Sequence, residues 1–520
     1  MALTQLALAL VGASVIVNVI HTSWRHRQKA KQLGCKPLPA APIRDPLAIT
    51  NILEMVKADK EKRVPELLEE RVDTVEKTYG KYLTTYRLKQ GLGESIVTFE
   101  PKNIQALLAN QFKDFCIGST REGCMGPLLG RGIFTTDGAE WAHSRTMLRP
   151  QFTRDQISDL GLEEAHVQNA MRVIAQPNKE GWTEADVQTI FFRLTLDSAT
   201  EMLFGESCNC QLTAFESETS GSLAADFSKY FDYAQWNLAQ RVRVPGLSFL
   251  YDTKEFKDCC KQVHRFVDER VASALEPENK KKAEDPNAPY VFLHALATTT
   301  QDPLELRSQL LNVLLAGRDT TASLLSWTML LLARNPEIFA RLRRDIIEAF
   351  GTYENPHSLS FSNLKSCQFL QHVMSESLRL FPPLPVNARY ATKDTSLPVG
   401  GGPDAQDPIY VKKGQAVLYS THVLHRRKDI WGEDAAEFKP DRWVGRRVGW
   451  EFLPFNGGPR ICIGQQFALT EAGYVLARFL QRFDKVEEVY PERKFTWQLA
   501  LVSAPGENVT VRFHEAAASA

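Results

Sequence analysis

Phe455-Asn456-Gly457-Gly458-Pro459-Arg460-Ile461-Cys462-Ile463-Gly464 is a glycine-rich bend that ends on a cysteine and opens into a helical run, Gln465 to Leu480. Amides at a helix N-terminus lower the pKa of a thiol and stabilise a thiolate. Gly457, Gly458 and Gly464 remove side chains where a flat macrocycle would have to lie against backbone. Phe455 can cover the sulfur, and Arg460 can meet a carboxylate. Those are the parts that a thiolate-ligated haem needs on its proximal side, and they make Cys462 the expected iron ligand. A buried free cysteine beside a turn is the competing reading. It suffices for the other eight cysteines, which are scattered through the chain without a C-x-x-C and fit neither a disulfide scaffold nor a zinc ribbon.

Outward from this loop, helical periodicity dominates. Lys57 to Tyr79 reads as one charged amphipathic helix. Gln309 to Ala333 is apolar nearly all round and ends at Asn335-Pro336, so it should run through the middle of the fold. Pro336 to Phe350 and Ser366 to Leu380 are further helices. Short alternating runs, Tyr82 to Tyr86 and Ile409 to Val411, supply a little sheet, and the glycine-rich stretch 398–408 reads as a surface hairpin. The expected fold is mainly α, with a small β subdomain set to one side and no internal repeat.

At the N-terminus, Leu3 to Ile20 is an apolar run interrupted by Thr4, Gln5, Gly12, Ser14 and Asn18. Its length of about 27 Å as a helix would just span a thin bilayer. Arg25, Arg27, Lys29, Lys31 and Lys36 follow it and nothing basic precedes it, which argues against a cleaved signal peptide and keeps the body cytosolic. The expected organisation is a membrane anchor over 1–22, a basic and proline-rich linker over 23–45, and a single large domain over 46–520. Sixty-two basic residues balance 62 acidic ones, so there is no global field for nucleic acid.

Three further strings stand in order along the chain: Ala316-Gly317-Arg318-Asp319-Thr320-Thr321, Glu376-Ser377-Leu378-Arg379, and Phe438-Lys439-Pro440-Asp441-Arg442-Trp443. With the cysteine loop they closely resemble the cytochrome P450 haem-thiolate monooxygenases, over nearly the whole chain. The resemblance implies haem b with Cys462 as axial thiolate, and the cytochrome P450 fold behind the N-terminal anchor helix. It also implies a proton relay in which Thr320 holds the hydrogen bond and Asp319 connects to solvent. A hydroxyl bonded back to its own helix is the plain alternative for Thr320. Trp141 and Arg145, four apart on one helix face, together with Arg389 and Arg460, are the expected partners of the haem propionates, and Gly464 completes the loop. Glu376, Arg379 and Arg442 are expected to form a structural ion-pair network. His422 and His425 lack further ligands at metal spacing and read as core.

The 58 residues after Cys462 are too few for a flavin domain, and no dinucleotide fingerprint is present. Electrons should come from NADPH through a separate membrane-bound cytochrome P450 reductase, docked on a proximal patch formed by Arg149, Arg442, Arg446 and Arg447. The resemblance places the chain on the endoplasmic reticulum membrane. Residues 33–37, 138–154 and 452–470 look most like the fungal branch that hydroxylates n-alkanes and fatty acids. That implies an extended apolar channel lined by 118–132, the aromatic stretch Phe227 to Trp236, Val386, Asn387, Leu501 and Val502. The aromatics at 227–236 can equally be core. Tailoring an alkyl chain of a fungal secondary metabolite is the alternative within the same chemistry. A reductase-independent enzyme that rearranges peroxides would have little need of Asp319-Thr320. A non-catalytic haem-binding protein would have none.

Overall fold

The helix Pro303–Arg334 is the axis of the computed structural model, which describes residues 2–91, 93–153, 160–215, 223–279 and 290–517. It starts six residues ahead of the apolar run at Gln309, because Pro303 occupies its first turn and the Asp302 side chain accepts from Leu304 N at 2.9 Å. Both are ordinary helix-start signals. Nearly every side chain from Leu306 to Ala333 is buried. The helix packs against Val187–Phe204, Gln368–Leu380 and Gln465–Arg482. There Trp327 stacks on Phe381 with ring centroids 3.9 Å apart, within a core that also takes in Phe191, Leu331 and Phe479. A second core lies between Leu223–Arg243 and Lys254–Leu275.

The sheet that flanks the helices has five strands in the order Thr85–Gln90, Gly93–Thr98, Ala416–Ser420, Val386–Ala391, Phe115–Cys116. All neighbours are antiparallel except Gly93–Thr98 with Ala416–Ser420. This sheet sets Arg389 opposite Val417. The hairpin expected at 398–408 joins Thr395–Gly401 to Asp407–Val411.

Two expectations change. The single helix over 57–79 is two, Ile49–Lys60 and Val64–Tyr79. Between them Lys62 takes a φ of 55°, a left-handed turn that ends one helix and lets the next set out in a new direction. At the N-terminus one helix runs from Ala2 to Gln32, past the end of the apolar run and through four cationic residues. Among the described residues no helix is long and apolar enough to cross a membrane. The anchor helix expected over 1–22 is therefore not shown by the fold, because Thr4, Gln5, Gly12, Ser14 and Asn18 dilute its apolar character.

The proximal scaffold is a buried ion cluster. Arg379 grips Glu376 with two parallel bonds, Nε to Oε2 at 2.8 Å and Nη2 to Oε1 at 2.9 Å, and neither side chain is exposed. Glu376 also accepts from Arg442 Nε at 3.2 Å, Trp443 Nε1 at 3.0 Å and Lys439 N at 3.0 Å. Arg379 Nη1 donates to the carbonyls of His425 and Ala435 at 2.8 and 2.6 Å. A buried charge pair holds only when its remaining hydrogen bonds are met; here they are met by the 431–443 segment, which is thereby clamped onto Gln368–Leu380. His425 Nε2 accepts from Leu453 N at 2.9 Å, fixing the chain just ahead of the cysteine loop.

Candidate active site

Cys462 N donates to Phe455 O at 3.0 Å, closing the loop into a narrow hairpin. Gly464 is the residue before Gln465–Arg482, so the thiol stands at a helix N-terminus. The Cys462 side chain is exposed, yet it lies deep enough in the fold for burial to push its thiol pKa up, against the Gly464 amide and Arg145, which pull it down. A thiol that is both deep and accessible faces an internal space. The glycines act otherwise than expected. A Cβ on Gly458 would stand 1.9 Å from Leu108 O, and one on Gly457 would stand 2.7 Å from the Trp450 ring. They admit neighbouring protein, the first of them the π-helical turn Ala106–Asn110. Only at Gly464 is the nearest atom at an ordinary contact, Phe152 at 3.6 Å. Phe455 packs at the edge of the main core.

Trp141 and Arg145 lie on the helix Gly138–Leu148. Arg145 Nη1 donates to Ile461 O at 3.0 Å, and its guanidinium is 5.9 Å from the Trp141 ring. Arg460 lies 4.4 Å from that ring. Its Nη2 donates to Asp137 Oδ1 at 2.7 Å and to Thr136 O at 2.9 Å. Arg389 is buried, with Nη1 donating to Ala388 O at 2.8 Å.

Two residues of this cluster were not anticipated. Asp137 precedes the helix Gly138–Leu148 and holds the 117–118 turn, accepting from Ile117 N and Gly118 N at 3.0 Å each. An acid just before a helical run was a legible signal. Arg121, whose Nη2 donates to Asn387 Oδ1 at 2.9 Å, carries no local signal at all. Burial lowers the pKa of Arg121, and the charge of Arg389 lowers it further. Arg460 is lowered to about 10, by burial first, with Asp137 opposing and Arg389 and Arg121 adding to the fall.

The distal helix carries Asp319 and Thr320. Thr320 Oγ1 donates to Ala316 O at 2.7 Å, the back-bonded arrangement. A Cβ added at Gly317 would meet nothing within 4 Å, so the helix surface is open beside this bond. Asp319 is 7% exposed, and its pKa is pushed up to about 6 by burial, against the pull of Arg318 and with the aid of Asp232. Arg318 is ion-paired to Asp232 and stands 3.5 Å from Asp319 Oδ1. Turning the Gln235 amide over brings its nitrogen 2.5 Å from Asp319 Oδ2, where it donates.

These residues fit a haem. The thiol is exposed yet set deep in the fold, the gathered guanidinium groups of Arg121, Arg389 and Arg460 suit the two carboxylates that propionates supply, and the central helix is open at Gly317. Several expected linings move elsewhere. Phe227 and Phe231 are fully buried and stacked, Phe227 on Phe266 at 4.1 Å, so they are core, whereas Trp236 is exposed. Val386 is open and Leu501 half-buried. The proposed basic patch also shrinks. Arg442 belongs to the Glu376 cluster, and Arg446 donates to Ile430 O and lies over Trp431, leaving Arg149 and Arg447 exposed. Residue 154, the end of the 138–154 stretch, lies outside the described residues.

Comparison with known proteins agrees with this geometry. The family model for Cytochrome P450 matches residues 49–511. The chain is 50% identical over 508 residues to cytochrome P450 monooxygenase g430 of Fusarium sp, covering 96% of this chain and 88% of that one. It is 41% identical to cytochrome P450 monooxygenase alt2 of Alternaria solani, covering 96% of each. To cytochrome P450 52A10 of Candida maltosa it is 47% identical over 416 residues, 77% of this chain and 79% of the relative. A deep thiol ahead of a helix, an acid–alcohol pair on the central helix and a family match over most of the chain converge: this chain belongs to the cytochrome P450 family, an oxidoreductase that incorporates molecular oxygen with haem-thiolate iron and electrons from a reductase partner.

Proposed function

We propose that this enzyme hydroxylates a long-chain aliphatic substrate, an alkane, fatty acid or similar alkyl chain, with NADPH electrons delivered by a separate cytochrome P450 reductase. The observation that carries the reading is the acid–alcohol pair Asp319-Thr320, set in a buried helix beside the open flank at Gly317. When bound, haem would be held by Cys462 and by Arg121, Arg145, Arg389 and Arg460 with Trp141 against them, and would supply the activation of molecular oxygen.

The protein's own part is proton management and exclusion of water. Asp319, with a pKa near 6, exchanges a proton close to neutrality, as a general acid should. Thr320 gives up its bond to Ala316 O when its hydroxyl turns toward the haem side, and returns to it afterwards. Arg318, held by Asp232, keeps the Asp319 carboxyl oriented. Val386 and Leu501 offer apolar surface to the substrate, in keeping with the likeness to fungal alkane and fatty-acid hydroxylases.

Attachment to the endoplasmic reticulum membrane belongs to the same reading, with 1–22 as the attached segment, 23–45 as linker and 46–520 as the catalytic body. Its support is the exposed apolar residues Ile49, Ile52, Leu53 and Val56, with Leu247, Phe249 and Leu250 just past Arg243, which ends the helix Leu223–Arg243 and pairs with Asp59 at 2.8 Å. An apolar face of this kind is suited to a lipid interface.

The test is a reduced, carbon-monoxide difference spectrum of the membrane-expressed protein, titrated with a chain-length series of fatty acids and alkanols. A thiolate Soret band with a low- to high-spin shift on long chains is the expected outcome. A thiolate band without response to any simple chain would move the substrate to an alkyl chain of a secondary metabolite. Absence of the thiolate band in folded, haem-loaded protein would overturn the site.

A further inference from the structure

Cys208 and Cys210 flank one residue on the turn that leaves the helix Val187–Phe204, and the fold gives them a third donor that their own spacing does not announce. Asp197 lies on that helix, facing the turn. Cys208 Sγ donates to Asp197 Oδ1 at 3.2 Å, while Cys210 N and Gln211 N donate to Oδ1 and Oδ2 at 2.7 and 3.0 Å. The carboxylate thus draws the chain back across the end of its own helix. Asn209, between the two cysteines, takes a φ of 51°, a left-handed conformation that asparagine tolerates better than most residues. Cys210 Sγ donates to Arg193 O at 3.4 Å.

The two sulfurs and a carboxylate oxygen lie within 4.8 Å of one another, and among the described residues this is the one place where three such donors gather. Asp197, Cys208 and Cys210 are 1%, 3% and 6% exposed. Gly205, Glu206 and Asn209 on the same turn are open, so the donors sit one residue beneath the surface. Two free thiols that only filled space would be ordinary core and would need no carboxylate between them. A disulfide would use the sulfurs and leave the carboxylate idle. Burial also pushes the Cys210 thiol up, with Cys208 and Asp197 adding to the rise, which starves thiol oxidation of its thiolate. Two thiolates and a carboxylate suit zinc and its heavier congener cadmium. Exchanging two thiol protons for a divalent cation leaves the charge of the buried site unchanged, which removes the main obstacle to placing an ion there.

We propose that Asp197, Cys208 and Cys210 form a binding site for a divalent cation of the zinc class. On binding, two S–H bonds break and two sulfur–metal bonds form. Asp197 Oδ1 exchanges the Cys208 S–H donor for the metal, both protons leave to solvent, and no electrons move. Three protein donors leave the fourth tetrahedral position to water entering by the open turn. The bound ion ties the turn 205–211 to Val187–Phe204. Cys210 lies close enough to Arg318 to act on its charge, as Cys208 does on Arg270, so two guanidinium groups stand by the anionic donor set.

The test uses the full-length, haem-loaded enzyme, in which Cys462 is taken by iron, with zinc and cadmium chlorides as probes. After gel filtration the parent should retain about one zinc per haem. Cys208→Ser/Cys210→Ser should retain none, and Cys259→Ser/Cys260→Ser, which removes the adjacent pair elsewhere in the chain, should retain as much as the parent. Cadmium should add an ultraviolet sulfur-to-metal band that the first variant lacks, and zinc should raise the thermal midpoint of the parent alone. Alkylation followed by peptide mapping reads the same site without any substitution: metal should slow labelling of Cys208 and Cys210 several-fold and leave Cys116 and Cys367 unchanged. If Cys208→Ser/Cys210→Ser does not fold, the labelling result decides. Zinc retention equal in the parent and that variant, no retention by the reduced parent, or labelling of Cys208 and Cys210 unaffected by metal would overturn the site. A Cys208–Cys210 disulfide in the protein as isolated would overturn it in favour of a redox pair.

Discussion

Replacing Gly458 by alanine isolates what the cysteine loop requires of the backbone beneath it. Gly458 has a φ of 70°, and its added Cβ would lie 1.9 Å from Leu108 O and 2.7 Å from the carbonyl carbon. The left-handed conformation costs an alanine about 1–2 kcal/mol, and displacing a backbone carbonyl within packed structure costs about 1–3 kcal/mol more. Gly414 is the matched control: its φ is 78°, but nothing lies within 4 Å of its added Cβ, so only the conformational part applies. At roughly 2.1 cal/mol/K per residue, a 520-residue chain loses about 1 °C of unfolding midpoint per kcal/mol. Gly458→Ala should therefore fall by about 2–5 °C and Gly414→Ala by about 1–2 °C. Thermal scans of the holoenzyme, followed by tryptophan fluorescence and Soret absorbance, measure both. Equal shifts for the two variants would refute the claim that Gly458 is held by its contact with Leu108.

Glu376→Gln leaves Arg379 and Arg442 buried beside an uncharged amide, at a cost of about 3–5 kcal/mol; the yield of folded, haem-loaded protein should collapse, as read from the Soret-to-protein absorbance ratio. Cys462→His should abolish the thiolate band in the carbon-monoxide spectrum and hydroxylation with it, even in variants that retain haem. The Asp319 carboxyl rises from 3.8 to about 6 on folding, so the folded state holds this proton more tightly. The resulting stability is present in full below pH 3.8 and is lost as pH rises through 6, by at most about 3 kcal/mol. Asp319→Asn should flatten that part of the midpoint-versus-pH curve. Arg121→Gln removes one of the cations that would meet the propionates, and haem transfer to apomyoglobin should accelerate several-fold against the parent enzyme.

Much of the site was legible because haem-thiolate chemistry prescribes residue types at short spacing. The loop ending at Cys462, the Trp141 and Arg145 pair and Asp319-Thr320 are all local strings, each readable without knowledge of the fold. What escaped was set by partners distant in sequence. The reason for Gly457 and Gly458 lies at Trp450 and Leu108, and no pattern around 458 points to a turn at 106–110. Arg121 gains its role only because the sheet brings Asn387 and Arg389 to it. Arg442 was expected in the Glu376 cluster and also in a surface patch, and packing leaves it only the first. Phe227 and Phe231 recur at helical spacing, which says that they share a face but not that Lys254–Leu275 covers it. Lys62 shows the limit at its smallest: amphipathic spacing continues across 57–79 while the backbone turns.

The far end of the N-terminal helix has a practical bearing on how this enzyme should be handled. His26 Nδ1 meets Tyr410 Oη at 2.8 Å, and Lys29 bonds Asp394, so the last turns of Ala2–Gln32 are riveted to the Thr395–Gly401 hairpin region of the body. Truncation for bacterial expression should stop ahead of Arg25. Trimming to residue 33 would remove His26 from Tyr410 and Lys29 from Asp394, leaving the Asp394 carboxylate with its bond from Lys413 N, and would trade better solubility for a damaged seam.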